Sequence, residues 1–140
     1  MNTICLPRPL VNQLLQLAQK SPDEEICGLI SRDSRGFRTC YPVPNLADDK
    51  KRFFALDPKA QIDAMRAMRE HGEELAAIFH SHPHSPPFPS PIDVKQHEYP
   101  DVLYLIISLA VLSEPEMRGF HIRGHAIEEV AIGLQEGPAP

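Results

Sequence analysis

The stretch HSHPHSPPFPSPID, residues 80–93, places three histidines and five prolines directly after the apolar run LAAIF. His80 and His82 lie two residues apart at the end of a predicted strand, so their side chains project from one face and can reach a single metal ion. Zinc in a catalytic site takes three protein ligands of nitrogen and oxygen type and keeps one position for water. Asp93, on the same stiff loop, is the candidate third ligand.

The same loop also fits the start of a helix. Ser90 is a suitable N-cap, Pro91 suits the first helical position, and Asp93 is an acid at the third. His84 and the prolines are then ordinary loop residues. The two interpretations are compatible, because an aspartate in a first helical turn has a fixed direction, as a metal ligand must. Spacing alone leaves both open.

The elements that position this loop follow from periodicity and turn residues. Apolar residues at helical spacing predict an amphipathic helix over residues 8–20. Asp57 as N-cap with Pro58 behind it predicts a second helix that stops at Gly72, with a narrow apolar stripe formed by Ile62, Met65 and Met68. One or two further helical turns are expected within 91–99. Strands are predicted over 26–31, 37–43, 53–56, 75–79, 102–109, 117–123 and 127–134.

This order predicts a mixed α/β fold, a single domain over residues 1–134 with a central mixed β-sheet flanked by helices, followed by a frayed tail over 135–140.

The net charge of −5 and the pI of about 5.8 disfavour nucleic acid as a partner. The most apolar segment, residues 102–112, is too short to span a membrane. The first residues show no signal-peptide pattern, which favours the cytoplasm. The three scattered cysteines argue against disulfides and also favour the cytoplasm. We expect a monomer or a weak homodimer.

The loop and one upstream segment together resemble a known family. Residues 80–93 match the H-x-H-x(7)-S-x(2)-D signature of the JAMM (MPN+) zinc metallopeptidases. That family also carries a glutamate in a segment of the P-x-E-x-C-G-L type, which PDEEICGL, residues 22–29, resembles, with Glu25 at the glutamate position. The resemblance covers nearly the whole chain. It is closest to the small stand-alone prokaryotic members, and it implies an MPN/JAMM domain with a cytidine-deaminase-like architecture.

The resemblance also implies a role for each matched residue. His80, His82 and Asp93 would hold Zn²⁺, and water would take the fourth position. Glu25 would accept a proton from that water and deliver it to the leaving amine, whereas its position alone would favour a solvated acid. Ser90 would donate to the oxyanion of the tetrahedral intermediate. The chain is therefore predicted to be a hydrolase.

The resemblance further implies a substrate class. Members of the family cleave peptide or isopeptide bonds at the tails of ubiquitin-like proteins, and some small prokaryotic members act on sulfur carriers. The predicted partner is thus a ubiquitin-like or sulfur-carrier protein with a Gly-Gly tail. This tail would add as a strand along residues 53–56.

Three alternatives compete with this interpretation. The first is a non-catalytic zinc-binding MPN scaffold, although such relatives usually lack part of the signature. The second is a zinc deaminase, which calls for a P-C-x-x-C segment, and the chain has no C-x-x-C pair. The third is a DNA-repair-associated relative, which the acidic charge disfavours.

Overall fold

The computed structural model describes residues 3–96, 99, 101–111 and 113–136. The helices are α1 (Arg8–Gln19), α2 (Pro58–Glu70) and α3 (Pro91–Gln96). The strands are β1 (Thr3–Pro7), β2 (Cys27–Asp33), β3 (Gly36–Val43), β4 (Glu74–His82), β5 (Leu103–Ser108), β6 (Glu116–Arg123) and β7 (Ala126–Gln135). Among the helices of the described residues, none is both long enough and apolar enough to cross a membrane.

The strands form one sheet in the order β1-β7-β6-β5-β4-β2-β3. The pairs β1/β7 and β4/β5 are parallel, and the remaining neighbours are antiparallel. The edge strands β1 and β3 contact each other, because the sheet curls around α1. This architecture confirms the predicted mixed α/β fold with helices on a central mixed sheet.

Helix α1 fills the concave face of the sheet. Its buried stripe is Leu10, Val11, Leu14 and Ala18, which recur at the spacing that the sequence predicts. These residues pack in one cluster with side chains of the central strands, among them Phe79. Burying this stripe is the main reason that the segment is helical, since packing supplies most of a short helix's stability.

Helix α2 covers the opposite face and begins where the sequence predicts. The Asp57 side chain accepts a hydrogen bond from the Lys59 amide at 3.0 Å, and Gly72 adopts the left-handed conformation (φ +69°) just beyond the helix end. The predicted apolar stripe is partly wrong. Ala64 and Met68 are the buried residues, whereas Ile62 is 59% exposed because it lies on the far side of the helix.

Several elements differ from the sequence predictions. Thr3–Pro7 joins the sheet edge as β1, a strand that the sequence patterns do not predict. Residues 53–56 are not a strand; Leu56 makes an isolated bridge to Asn45, within a connection between β3 and α2 that we call the arm, residues 44–57. Strand β7 continues to Gln135, one residue into the predicted tail, and residues 137–140 lie outside the described part.

Strand β2 is tightly enclosed at Gly28. A Cβ atom at this position would lie 2.5 Å from both a Phe79 ring carbon and the Tyr41 carbonyl oxygen. We expect Gly28→Ala to lower the free energy of unfolding by about 3 kcal/mol, because neither a packed ring nor a sheet carbonyl can move away easily. Urea denaturation measures this loss.

The matched control is Gly133→Ala in β7. There the added methyl would meet Thr3 and Cys5 atoms at 3.4 and 3.5 Å, which are ordinary contact distances. Its stability should stay close to that of the parent. Equal denaturation midpoints for the two variants would contradict the packing argument.

Candidate metal centre

Strand β4 carries the two histidines and extends through both of them. It lies between β5 and β2, so that His80 pairs with Ile106 on one side and Cys27 on the other. Alternation along the strand places His80 and His82 on the face that also carries Ile78, which is the α2 face. Both imidazoles are buried, with 1% and 4% of their surface exposed.

The start of α3 brings Asp93 to the histidines. The Ser90 amide donates to Asp93 Oδ2 at 2.9 Å, and the Asp93 amide donates to Ser90 Oγ at 3.1 Å. This reciprocal pair is the helix cap that the sequence suggests, and it also holds the Asp93 carboxylate in one direction. The predicted cap is therefore present, and it leaves the Asp93 carboxylate in a fixed direction beside the histidines.

Three potential ligand atoms converge at one point. His80 Nε2 lies 3.2 Å from His82 Nε2, and each nitrogen lies 3.1 Å from Asp93 Oδ2. Tetrahedral zinc with ligands at 2.0–2.1 Å holds them about 3.3 Å apart, so the donor set matches what zinc requires. Within the described residues, these three side chains form a group that could hold a metal ion.

The hydrogen-bonding of His82 supports this assignment of the donor set. Its Nδ1 donates to the Pro86 carbonyl at 2.8 Å, which leaves Nε2 facing the Asp93 carboxylate. Without a cation, Nε2 must carry a second proton to avoid placing two lone pairs together. Burial lowers the pKa of His82, but hydrogen bonds to Asp93 and Pro86 outweigh it and raise the pKa above its ordinary value. A metal ion would replace that proton.

His80 is held differently. Burial keeps its pKa below the ordinary value, which favours the neutral imidazole that binds metals. Its Nδ1 is buried and has no hydrogen-bond partner within the described residues. Instead, the Phe54 ring stacks on the imidazole at a centroid distance of 4.3 Å and an interplanar angle of 20°. The arm therefore supplies one wall of the site.

Asp93 completes the electrostatics. Burial would raise its pKa, but hydrogen bonds with the two imidazoles and the Ser90 amide hold the pKa far below its ordinary range. The carboxylate is thus ionised at neutral pH, as a ligand must be.

Glu25 lies beside this group although it precedes β2. The Ser81 amide donates to the Ile26 carbonyl at 3.0 Å, and the Ile26 amide donates to Ser81 Oγ at 2.9 Å. These bonds continue the antiparallel register in which Cys27 faces His80, so Glu25 stands opposite His82 and shares its face. Glu25 is 5% exposed, whereas its neighbour Glu24 is exposed.

The carboxyl group of Glu25 is poorly solvated. Its Oε1 is buried without a hydrogen-bond partner in the described part of the chain. Burial is the largest cause that raises its pKa to about 8; the nearby Asp93 and Asp49 add to the rise, and His82 opposes it. A carboxyl with such a pKa can exchange a proton near neutral pH.

This raised pKa predicts a pH-dependent stability. Between the ordinary value of 4.5 and about 8, the folded state keeps a proton on Glu25 that the unfolded state has released. The stabilisation is therefore fully present below pH 4.5 and is lost as the pH rises toward 8. In chelator, we expect the parent to lose about 3 kcal/mol more than Glu25→Gln between pH 5 and pH 8. Urea denaturation at both pH values checks this, and Glu24→Gln should follow the parent; a parallel decline in all three proteins would contradict it.

A groove of about 650 Å³ runs from Asp93 between the arm and helices α2 and α3. Its walls include Phe54, Leu56 and Gln61 on one side and Lys95 and Tyr104 on the other. The Gln61 amide donates to the Tyr99 hydroxyl at 2.8 Å and so links α2 to the segment after α3. The groove is large enough for an extended peptide of a few residues.

Sequence reasoning missed three residues at the site. Ser81, between the two histidines, faces the other side of the sheet and anchors Ile26. Phe54 was predicted to be part of a strand, and Asn45 carried no signal at all. Ser81 could have been found from the sequence, because a small hydroxyl residue between two ligand positions suits a buried place in the sheet. Only the tertiary structure reveals Phe54 and Asn45. Of the remaining histidines, His84 is exposed and outside the cluster, and His97 lies outside the described residues.

Comparison with known proteins identifies the family of this site. Residues 7–123 match the family described as prokaryotic homologs of the JAB domain. The chain belongs to this family. The match spans the sheet from β2 to β6 and every residue of the site. The predicted JAMM/MPN+ resemblance is thereby confirmed.

Among the proteins similar to this chain, two with names that state an activity illustrate the enzyme class. The chain is 33% identical over 120 residues to the desampylase of Haloferax volcanii, covering 84% of each protein. It is 29% identical over 128 residues to the CysO-cysteine peptidase of Mycobacterium tuberculosis, covering 91% of this chain and 88% of that protein. These relatives confirm the predicted enzyme class, a JAMM-type hydrolase.

One solved structure agrees over nearly the entire JAB domain. A Desulfitobacterium hafniense protein, solved in solution, superposes with a TM-score of 0.84 at 33% identity and covers 98% of this chain and 94% of its own. The fold of this chain is therefore shared by a solved protein from another organism.

Proposed function

We propose that this chain is a cytoplasmic, zinc-dependent peptidase or isopeptidase that hydrolyses an amide bond at the C-terminal tail of a ubiquitin-like protein of the sulfur-carrier type. The observation that carries the proposal is the convergence of His80, His82 and Asp93 donor atoms at 3.1–3.2 Å beside the buried carboxyl of Glu25. The relatives named desampylase and CysO-cysteine peptidase support the substrate class.

His80, His82 and Asp93 would hold the zinc ion. When bound, zinc lowers the pKa of a coordinated water to about 7 and polarises the carbonyl under attack. Glu25 would accept the proton of the attacking water and pass it to the leaving amine. Its burial suits this task, because poor solvation makes a carboxylate a stronger base than it is in water.

Ser90 would stabilise the oxyanion of the tetrahedral intermediate. Its Oγ accepts the hydrogen bond from the Asp93 amide, and a hydroxyl that accepts still has its O–H to donate. Ser90 can therefore cap α3 and donate to the substrate at the same time. This removes the competition between the two roles that the sequence suggests.

The groove beside Asp93 would hold the tail of the carrier. Within the arm, the Leu46 amide donates to the Ala55 carbonyl, and the Asp57 amide donates to the Pro44 carbonyl. Along an extended segment, the amide and carbonyl groups of successive residues point alternately to its two sides. Those of Phe54 and Leu56 therefore point to the side opposite the bonds with Leu46 and Pro44. A Gly-Gly tail could pair there as an added strand even though residues 53–56 are not a strand themselves. The narrow approach to the site would favour glycine.

The experiment uses ubiquitin-like proteins encoded in the same genome, each with a single cysteine or a short peptide attached after its Gly-Gly tail. Incubation with the zinc-loaded enzyme should yield the mass of the free tail, and chelator should stop the reaction. Unchanged masses for every carrier, with zinc bound, would refute the proposal and favour the non-catalytic zinc-binding scaffold. Cleavage that is insensitive to chelator would refute the zinc mechanism.

A further inference from the structure

The arm reaches the site through one side chain. Asn45 is half-buried, and its amide makes four hydrogen bonds, all with main-chain atoms. Its Nδ2 donates to the Glu25 carbonyl and to the Phe53 carbonyl, each at 3.0 Å. Its Oδ1 accepts from the Ala47 and Ala55 amides, each at 2.9 Å. The two N–H groups of the Asn45 amide and both lone pairs of its oxygen are therefore used in bonds to the arm and to Glu25.

We propose that Asn45 is the positioning residue for Glu25, acting on the proton-transfer step by fixing the main chain that carries this carboxyl. The inference rests on the proposed function, in which Glu25 transfers the proton. It assigns to Asn45 no contact with substrate or metal.

Both peptide groups of Glu25 are bonded to the arm. The Glu25 amide donates to the Lys50 carbonyl at 2.6 Å, and the Glu25 carbonyl accepts from Asn45. The next residue, Ile26, is held by Ser81 of β4. Glu25 is thus located from one side by the sheet and from the other by the arm, and Asn45 makes the side-chain bond between the arm and Glu25.

The main chain matters because one oxygen of the Glu25 carboxyl lacks a hydrogen bond, among the described residues, that would fix its direction. Its Oε1 has no hydrogen-bond partner within the described residues. The direction of the carboxyl therefore depends on where the backbone at residue 25 stands. A displacement of about 1 Å in such a group can cost about a hundredfold in rate.

The same amide also orders the wall over His80. The Phe53 carbonyl and the Ala55 amide, which flank Phe54, are both bonded to Asn45. Phe54 stacks on His80, so Asn45 sets the distance between this wall and Glu25. Asn45 thereby links the two sides of the site, Phe54 and Glu25, which come from different parts of the chain.

Asn45→Asp tests the inference with an isosteric change. The aspartate keeps an oxygen that accepts from Ala47 and Ala55, but it places a second oxygen against the Glu25 and Phe53 carbonyls. We expect kcat for tail cleavage to fall about 10- to 100-fold, because the base is displaced, with a smaller rise in KM because the groove wall loses its bond at the Phe53 carbonyl. Zinc content should equal that of Asn12→Asp, a control that adds the same charge on the exposed side of α1. A kcat equal to that of the control would overturn the proposal.

A double-mutant cycle separates positioning from general damage to the fold. In the Glu25→Gln background, Asn45→Asp should change the residual rate by less than about twofold, since no base remains to be misplaced. An equal loss in both backgrounds would mean that Asn45 acts on the fold alone and would overturn the proposal. If Asn45→Asp does not fold, Asn45→Ala, which removes the amide without adding charge, takes its place in the cycle.

Hydrogen exchange gives a readout that does not depend on activity. In the chelated protein, the Glu25 amide should exchange at least about tenfold faster in Asn45→Asp than in Asn12→Asp, while the Ile26 amide, bonded to Ser81, stays protected. Equal rates at Glu25 would overturn the proposal. If the parent and Asn12→Asp cleave no carrier, the proposed function fails, and the exchange rates alone decide whether Asn45 holds Glu25.

Discussion

Glu25→Gln is expected to keep zinc bound and to lower the rate of tail hydrolysis by about a thousandfold. Glutamine has the shape of glutamate but cannot accept the proton of the attacking water or deliver it to the leaving amine. The three candidate metal ligands do not include Glu25, so the metal should remain. Mass-spectrometric rates with an extended carrier, together with elemental analysis, measure both quantities.

Glu24→Gln is the matched control for this variant. It makes the same chemical change one residue away, on a side chain that is exposed and outside the site. Its rate should equal that of the parent. A Glu25→Gln enzyme that cleaves as fast as Glu24→Gln would show that another group transfers the proton.

His82→Ala is expected to remove the metal and abolish hydrolysis. His82 supplies one of three converging donors, and its loss leaves one imidazole and one carboxylate, which is too few for a catalytic zinc site. The substitution also removes the partner of the Pro86 carbonyl, which orders the loop before α3. The zinc content measured after gel filtration should fall to background, and so should the rate at which the extended carrier is cleaved.

His84→Ala is the corresponding control, because His84 is a histidine of the same loop whose side chain is 73% exposed. It should retain zinc and activity. If His82→Ala still copurifies with one zinc ion per chain, the ligand set of His80, His82 and Asp93 is wrong. Glu25→Gln and His82→Ala thus separate the roles in the site, since the first should remove the chemistry with the metal present and the second should remove the metal itself.

Most of the fold could be predicted from local patterns. Helices α1 and α2 and the strands β2 to β7 follow from periodicity, caps and turn residues that lie within each segment. Strand β1 escaped prediction because its pairing partner, β7, lies at the other end of the described chain. Residues 53–56 looked like a strand by composition, but Asn45 takes the main-chain groups that a partner strand would use. Ile62 shows that an apolar residue on a helix need not face the core.

The amino-acid sequence by itself determined the donor set of the candidate metal centre. His80, His82 and Asp93 lie within fourteen residues, and their geometry follows from one strand end and one helix start. Only the tertiary structure decided what surrounds them. The register of β2 against β4 places Glu25 opposite His82, and the fold of the arm brings Phe54 and Asn45 to the site. Such contacts join residues far apart in the chain, and pairing between distant segments depends on the packing of the whole sheet, which local spacing does not encode.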